Sequence, residues 1–139
     1  MAAVYARAVS WVEVLATLLV CHLAGDFLLQ TEWQALNKHG GLGRDPVKRR
    51  ALFEHVATYA IPFLPAFVWI GHNAGAGHAL AVAAVALVTH LIQDDGRLLV
   101  RYMRAVKRTD PEFGSSLFIT VDQSFHVCFL FAAALLATA

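Results

Sequence analysis

Cys21-His22-Leu23-Ala24-Gly25-Asp26-Phe27-Leu28-Leu29-Gln30 is the stretch whose reading decides the fold. His22, Asp26 and Gln30 recur every fourth residue within an otherwise apolar run, which stacks three polar side chains on one face of a helix. In water such a face is ordinary. In a bilayer, ionisable groups are costly and mark functional positions. The stretch therefore turns on whether its helix crosses a membrane.

Composition answers that it does. The chain is 58% hydrophobic and 15% charged, with a mean hydropathy of +0.57. Ordinary globular domains are about 25% charged. Its 139 residues suit one domain. A net charge of +1 says nothing about partners by itself, and no nucleic-acid partner is expected. Cys21 and Cys128 sit in apolar runs without a Cys-x-x-Cys spacing, so they are read as small buried hydrophobes and not as a disulfide framework. Metal ligation by Cys21, beside His22, or by Cys128, two residues past His126, is disfavoured because neither falls on an i+4 step from the polar set.

Working outward, the N-terminal segment carries Arg7 and leads into an apolar run broken by Glu13. That interruption, and the polar face where a cleavage site should be, exclude a signal peptide and predict a retained transmembrane helix over about residues 9–31. Residues 32–50 read as a polar connection rich in Gly and Pro, closing on the basic Lys48-Arg49-Arg50. A second helix is predicted over about 51–70, with Pro62 and Pro65 marking a kink. Gly71 to Gly77 read as a tight turn without charge, flanked by His72 and His78 as interfacial bystanders. A third helix is predicted over about 78–100, ending in Thr89-His90-Leu91-Ile92-Gln93-Asp94-Asp95. Arg97, Arg101, Arg104, Lys107 and Arg108 continue it as a basic face suited to lipid phosphate or to snorkelling at the membrane surface. A fourth helix is predicted over about 116–138, with Asp122, Gln123 and His126 near its start. The predicted fold is all-α: a polytopic membrane protein with four transmembrane helices in an antiparallel bundle.

Charge orients it. Ten of the eleven Lys and Arg residues lie in or beside two connections: Lys38, Arg44, Lys48, Arg49 and Arg50 in the first, Arg97, Arg101, Arg104, Lys107 and Arg108 in the third. The positive-inside rule places both connections in the cytoplasm and both termini outside, with Arg7 the exception. On that topology His22, His55, His90 and His126 fall at one depth, one per helix. Asp26, Asp94 and Asp122 form a second layer roughly 6 Å nearer the cytoplasm, at 1.5 Å rise per residue.

Imidazole and carboxylate together suit zinc, with iron or manganese as alternatives, and helix bundles commonly build metal sites from such inward-facing groups. Seven candidate ligands (His22, Asp26, His55, His90, Asp94, Asp122 and His126) exceed what one tetrahedral zinc takes. Either two ions bind, or some aspartates orient the histidines. Asp26, Asp94 and Asp122 are also the candidate catalytic carboxylates. Gln30, Tyr59, Gln93, Asp95 and Gln123 are expected to support the ligands or touch a substrate, and Arg49, Arg50, Arg97 and Arg101 to hold an anionic head group. A polar network that only fixes helix packing is the bland competitor. A proton or ion pathway is disfavoured by the apolar outer halves of the helices. Bis-histidine haem is disfavoured by the aspartates.

His22-x-x-x-Asp26-Phe27-x-x-Gln30, His55 with Tyr59, His90-x-x-x-Asp94 and Asp122-Gln123-x-x-His126 together resemble a family of small four-helix integral-membrane proteins of bacteria and phages, catalogued as a domain of unknown function. Where such proteins usually carry a basic residue a turn after the third-helix aspartate, this chain has Asp95-Gly96-Arg97. The pattern is also distantly similar to membrane-bound metal-dependent hydrolases. The resemblance implies a protein of the bacterial inner membrane. The residues and the resemblance together lead to a metal-dependent hydrolase acting on a lipid-linked or phosphorylated substrate at the cytoplasmic face. The alternative is a non-enzymatic phage or accessory membrane module whose His/Asp cluster is a structural metal site or binds a partner. Membrane lipid is the expected surrounding, and a homo-oligomer is compatible with either.

Overall fold

The computed structural model describes residues 9–139, so Arg7 and the N-terminal start of the chain lie outside the described residues. The described residues are helical, with no strand among them.

Helix α1 (Trp11–Leu23) begins at a capping box. Ser10 accepts from the Glu13 amide while the Glu13 carboxylate accepts from the Ser10 amide. Beyond Leu23 the helix widens into a π turn, Ala24–Leu28, in which Leu29 N donates to Ala24 O five residues back at 3.0 Å. Such π turns carry one extra residue and occur often at functional sites. The expected helix over 9–31 therefore ends early. Thr31 and Gln34 form a second capping box that starts a new short helix, α2 (Glu32–Asn37), inside what the sequence suggests is only a loop.

Asp45 caps helix α3 (Pro46–Ala60) by accepting from the Val47 and Lys48 amides, with Pro46 at the first helical position, where its missing N–H costs nothing. The second expected helix, 51–70, thus starts earlier and comes in two pieces. Pro62 cannot donate, and the chain bends by 49° between α3 and α4 (Phe63–Ala74). Cys21 donates its S–H to the Pro62 carbonyl at this bend, 3.1 Å away. The charge-free segment that reads as a loop is mostly helix as well, leaving Gly75, at φ 102°, to turn the chain into α5 (Ala76–Asp94). Gly96, at φ 77°, ends α5 and separates it from α6 (Arg97–Tyr102), which runs into a π turn, Met103–Lys107. The third helix accordingly stops at Asp94 and does not continue to residue 100. Helix α7 (Ser116–Leu136) is capped by Ser115.

α5 packs on α4 and α7, α1 on α4 and α7, and α3 on α5 and on the π turn after α1. Val14, Leu18, Phe63, Ile70, Val82, Leu130 and Ala133 fill the centre. The outside is apolar too: Val20, Leu64, Val68 and Leu80 are exposed. In water such a surface would be an aggregation hazard, whereas in lipid it is required. Three helical stretches (Trp11–Leu28, Ala76–Asp94 and Ser116–Leu136) are long and apolar enough to cross a membrane, and the bent α3 and α4 pair makes a fourth if it is one span. That is the pattern of a membrane protein.

Candidate metal centre

His22 closes α1, Asp26 lies in the π turn, His55 and Tyr59 share one face of α3, His90 and Asp94 one face of α5, and Asp122 and His126 one face of α7. Gly25 lets these faces meet. A Cβ at that position would lie 2.6 Å from the Tyr59 ring and 3.1 Å from the Tyr59 carbonyl, so only glycine permits the π turn to seat against α3.

Asp26, His55, His90 and Asp94 are all buried and offer four ligand atoms that lie within 4.8 Å of one another. His55 Nε2 is 2.8 Å from Asp94 Oδ2 and 3.2 Å from Asp26 Oδ1. His90 Nε2 is 3.1 Å and 3.5 Å from the same two oxygens. The two Nε2 atoms are 3.1 Å apart. Four ligands about 2.0 Å from a tetrahedral zinc would be about 3.3 Å from each other. The five spacings given, from 2.8 to 3.5 Å, lie close to that edge length.

Protons alone satisfy the cluster poorly. If both Nε2 atoms carried hydrogen they would repel, and if either did not, its lone pair would face a carboxylate oxygen. Asp26 Oδ1, Asp94 Oδ1, His126 Nε2 and the Nδ1 atoms of His55 and His90 are buried without a hydrogen bond. A cation held between the four groups would remove the conflict at their centre. A second set, Asp94, Asp122 and His126, adjoins the first through Asp94, whose Oδ1 is 3.6 Å from His126 Nε2.

His22 lies in neither set. Gln123 Oε1 accepts from its Nε2 at 2.9 Å, which leaves its Nδ1 to accept from the Tyr59 hydroxyl at 3.2 Å. The Gln123 amide donates in turn to Asp26 Oδ2 at 3.1 Å. His22 thus holds Asp26 through Gln123, the kind of outer support that fixes ligand orientation. Tyr59 also stacks flat on His90, with ring centroids 3.4 Å apart. The two expected layers are interleaved here: the carboxylates fold back to the imidazoles, as the direct contacts of Asp26 and Asp94 require.

Lys38, which reads in the sequence only as a cytoplasmic charge, is buried in the site. Its ammonium is 2.9 Å from Asp94 Oδ2 and 2.8 Å from Gln30 Oε1, so Gln30 supports the lysine. No periodicity signals this, because Lys38 follows α2 outside the long helices. Asp95 accepts from the Leu42 amide and pairs with Arg97, pinning the loop after Lys38 to the end of α5. Gln93 is buried with neither amide atom bonded, and nothing in the structure accounts for it. Arg49 bonds the Gly43 carbonyl and Arg50 pairs with Glu54 over Trp33, both on the exposed face of α3. Arg97 and Arg101 line a separate cavity, so the four expected head-group arginines do not converge. Neither cysteine joins either set.

A cavity of about 300 Å³ opens beside the cluster. Asp26, Gln30, Lys38, Asp122 and Gln123 supply its polar side, and Phe27, Leu36, Phe113 and Ile119 its apolar walls. His39 also lines it, stacked on Phe113 at 4.4 Å. Burial, with Lys38 beside it, pushes the His39 imidazole down from its ordinary value to about 4.

No curated protein and no solved structure matches the chain. A family model described as "Protein of unknown function (DUF3307)" matches residues 14–139, which takes in every residue of the cluster, and the chain belongs to that family.

Proposed function

We propose that the protein is a membrane-embedded metal-dependent hydrolase acting on a lipid-linked or phosphorylated substrate at the cytoplasmic face of a bacterial inner membrane. The observation that carries this is the set of spacings between 2.8 and 3.5 Å joining His55 and His90 to each other and to Asp26 and Asp94. Zinc suits the donors best, with iron or manganese also compatible. Asp26, His55, His90 and Asp94 would hold one ion. Asp94, Asp122 and His126 would offer a second ion three ligands, the count at which zinc sites keep a position for water.

Asp94, common to both sets, would help hold both ions. Such an ion would supply Lewis-acid activation of water near neutral pH, and Asp122, which lines the cavity, would accept the proton released there. Phe27, Leu36 and Ile119 are exposed at the cavity and suit an acyl or polyprenyl chain, while the polar side receives the group to be cleaved. The experiment is elemental analysis of purified protein together with hydrolysis of short-chain phospholipid and phosphomonoester panels. Stoichiometric metal with turnover abolished by Asp122→Asn supports the reading, and protein without metal rules it out.

A second reading, a non-enzymatic membrane module, is favoured by the completeness of the four-ligand set, since closed sites are structural. One tightly held ion per chain, no second ion and no turnover would select it. For topology, the lysine and arginine distribution supports cytoplasmic first and third connections and outward termini. Labelling of a cysteine at position 74 from the cytoplasm would overturn that orientation.

A further inference from the structure

A second cavity, of about 490 Å³, lies beyond the wall formed by Leu36, His39 and Phe113, residues it shares with the cavity at the cluster. Its cations come from three separate segments: Lys48 from α3, Arg97 and Arg101 from α6, and Arg104 from the π turn that follows. Asp95 neutralises Arg97 and Asp110 neutralises Arg104. Among the described residues, neither Lys48 nor Arg101 has a carboxylate partner. The cavity therefore holds two uncompensated positive charges.

Its floor is rigid. Gly40 N donates to Asp95 O at 2.7 Å and Leu42 N to Asp95 Oδ1 at 2.7 Å, locking the glycine loop against the α5–α6 junction. Gly96 permits that approach: its φ is 77°, and a Cβ there would lie 3.0 Å from His39 Nδ1. Cations that only snorkel to the membrane surface need no concave, backbone-pinned floor. Guanidinium groups are planar forks that match phosphate oxygens, and an ammonium adds a point charge.

We propose that this basic cavity binds the phosphate group of an anionic ligand, independently of any metal in the carboxylate cluster. It deepens the hydrolase reading by naming phosphate as the group recognised. A ligand phosphate held here lies one side-chain wall from Asp26 and Asp122. The same chemistry is offered by a phosphomonoester lipid head group and by a soluble phosphate.

The test uses the full chain in phosphatidylcholine nanodiscs after chelator treatment, so that failure of the metal reading leaves this result standing. Calorimetric titration compares dihexanoyl phosphatidic acid with inorganic phosphate. Binding of the lipid alone assigns a head group, binding of phosphate alone assigns a soluble ligand, and binding of both assigns the phosphate group itself. Arg101→Gln and Lys48→Gln should each weaken binding about tenfold, the loss expected for about 1.4 kcal/mol of a charge-assisted contact. Arg101→Lys should recover part of the loss, and Arg50→Gln, outside the cavity, should leave affinity within twofold. Binding of neither probe overturns the proposal. So does equal weakening by Arg50→Gln and Arg101→Gln, which would mean general surface charge.

Discussion

His55 and His90 meet through their Nε2 atoms at 3.1 Å, a separation that the spacing within either helix does not specify. Both also face the same oxygen of Asp94, at 2.8 and 3.1 Å. A shared cation would account for this approach. His55→Ala and His90→Ala should each abolish tight metal binding, His126→Ala should remove one of two ions, and Asp94→Asn should weaken both. Inductively coupled plasma mass spectrometry on detergent-purified variants gives the stoichiometry. An unchanged metal content in His55→Ala would contradict the ligand assignment.

Gly25 sets how closely the π turn approaches Tyr59. Gly25→Ala inserts a methyl 2.6 Å from the Tyr59 ring and close to its backbone, so relief requires separating α1 from α3. Overpacking of this kind costs about 1–3 kcal/mol, and here it should also lower metal affinity by moving Asp26. Gly77→Ala is the control: nothing lies within 4 Å of its added methyl, and helix propensity predicts a gain of up to about 1 kcal/mol. Thermal unfolding in detergent reports both.

Lys38 and Asp94 form a buried ion pair at 2.9 Å. Removing one partner of such a pair costs about 3–5 kcal/mol because the other charge is left buried. Lys38→Met should therefore destabilise chelator-treated protein strongly. Metal-loaded protein should suffer less, because the ion supplies the positive charge that Asp94 loses. Equal destabilisation with and without metal would argue against an ion beside Asp94.

His39 gives a pH dependence outside the spanning helices. Its folded pKa of about 4 lies below the ordinary value of 6.5, so between these values the unfolded chain binds more protons than the folded one. Stability from this group is fully present above about pH 6.5 and is lost as pH falls towards 4. His39→Phe keeps a ring against Phe113 and removes the titration. The stability difference between wild type and this variant should therefore change by up to about 3 kcal/mol across that window, read from unfolding midpoints at a series of pH values.

Much of the site is legible in the motif spacing. His55, His90, Asp94, Asp122 and His126 are predicted from i, i+4 steps on separate helices, and the structure gathers them. His22 belongs to the same pattern, yet it supports Asp26 through Gln123 and Tyr59 and does not join the ligand atoms. Lys38 is invisible to the pattern because it lies after the short helix α2, which the Thr31 and Gln34 capping box starts where the sequence suggests a loop.

The sequence by itself determined the all-helical class, the apolar helices long enough to cross a membrane, and the direction in which each polar side chain leaves its own helix. Local hydrogen bonding and hydrophobic burial act over a few residues, and periodicity reports both. The tertiary structure alone decided which of those side chains become neighbours at about 3 Å. That depends on the π turn at Ala24–Leu28, on the contact Gly25 allows with Tyr59, and on the 49° bend at Pro62. Each sets how one helix lies against another, which leaves the helical period of the sequence unchanged and determines whether two ligand atoms could share an ion.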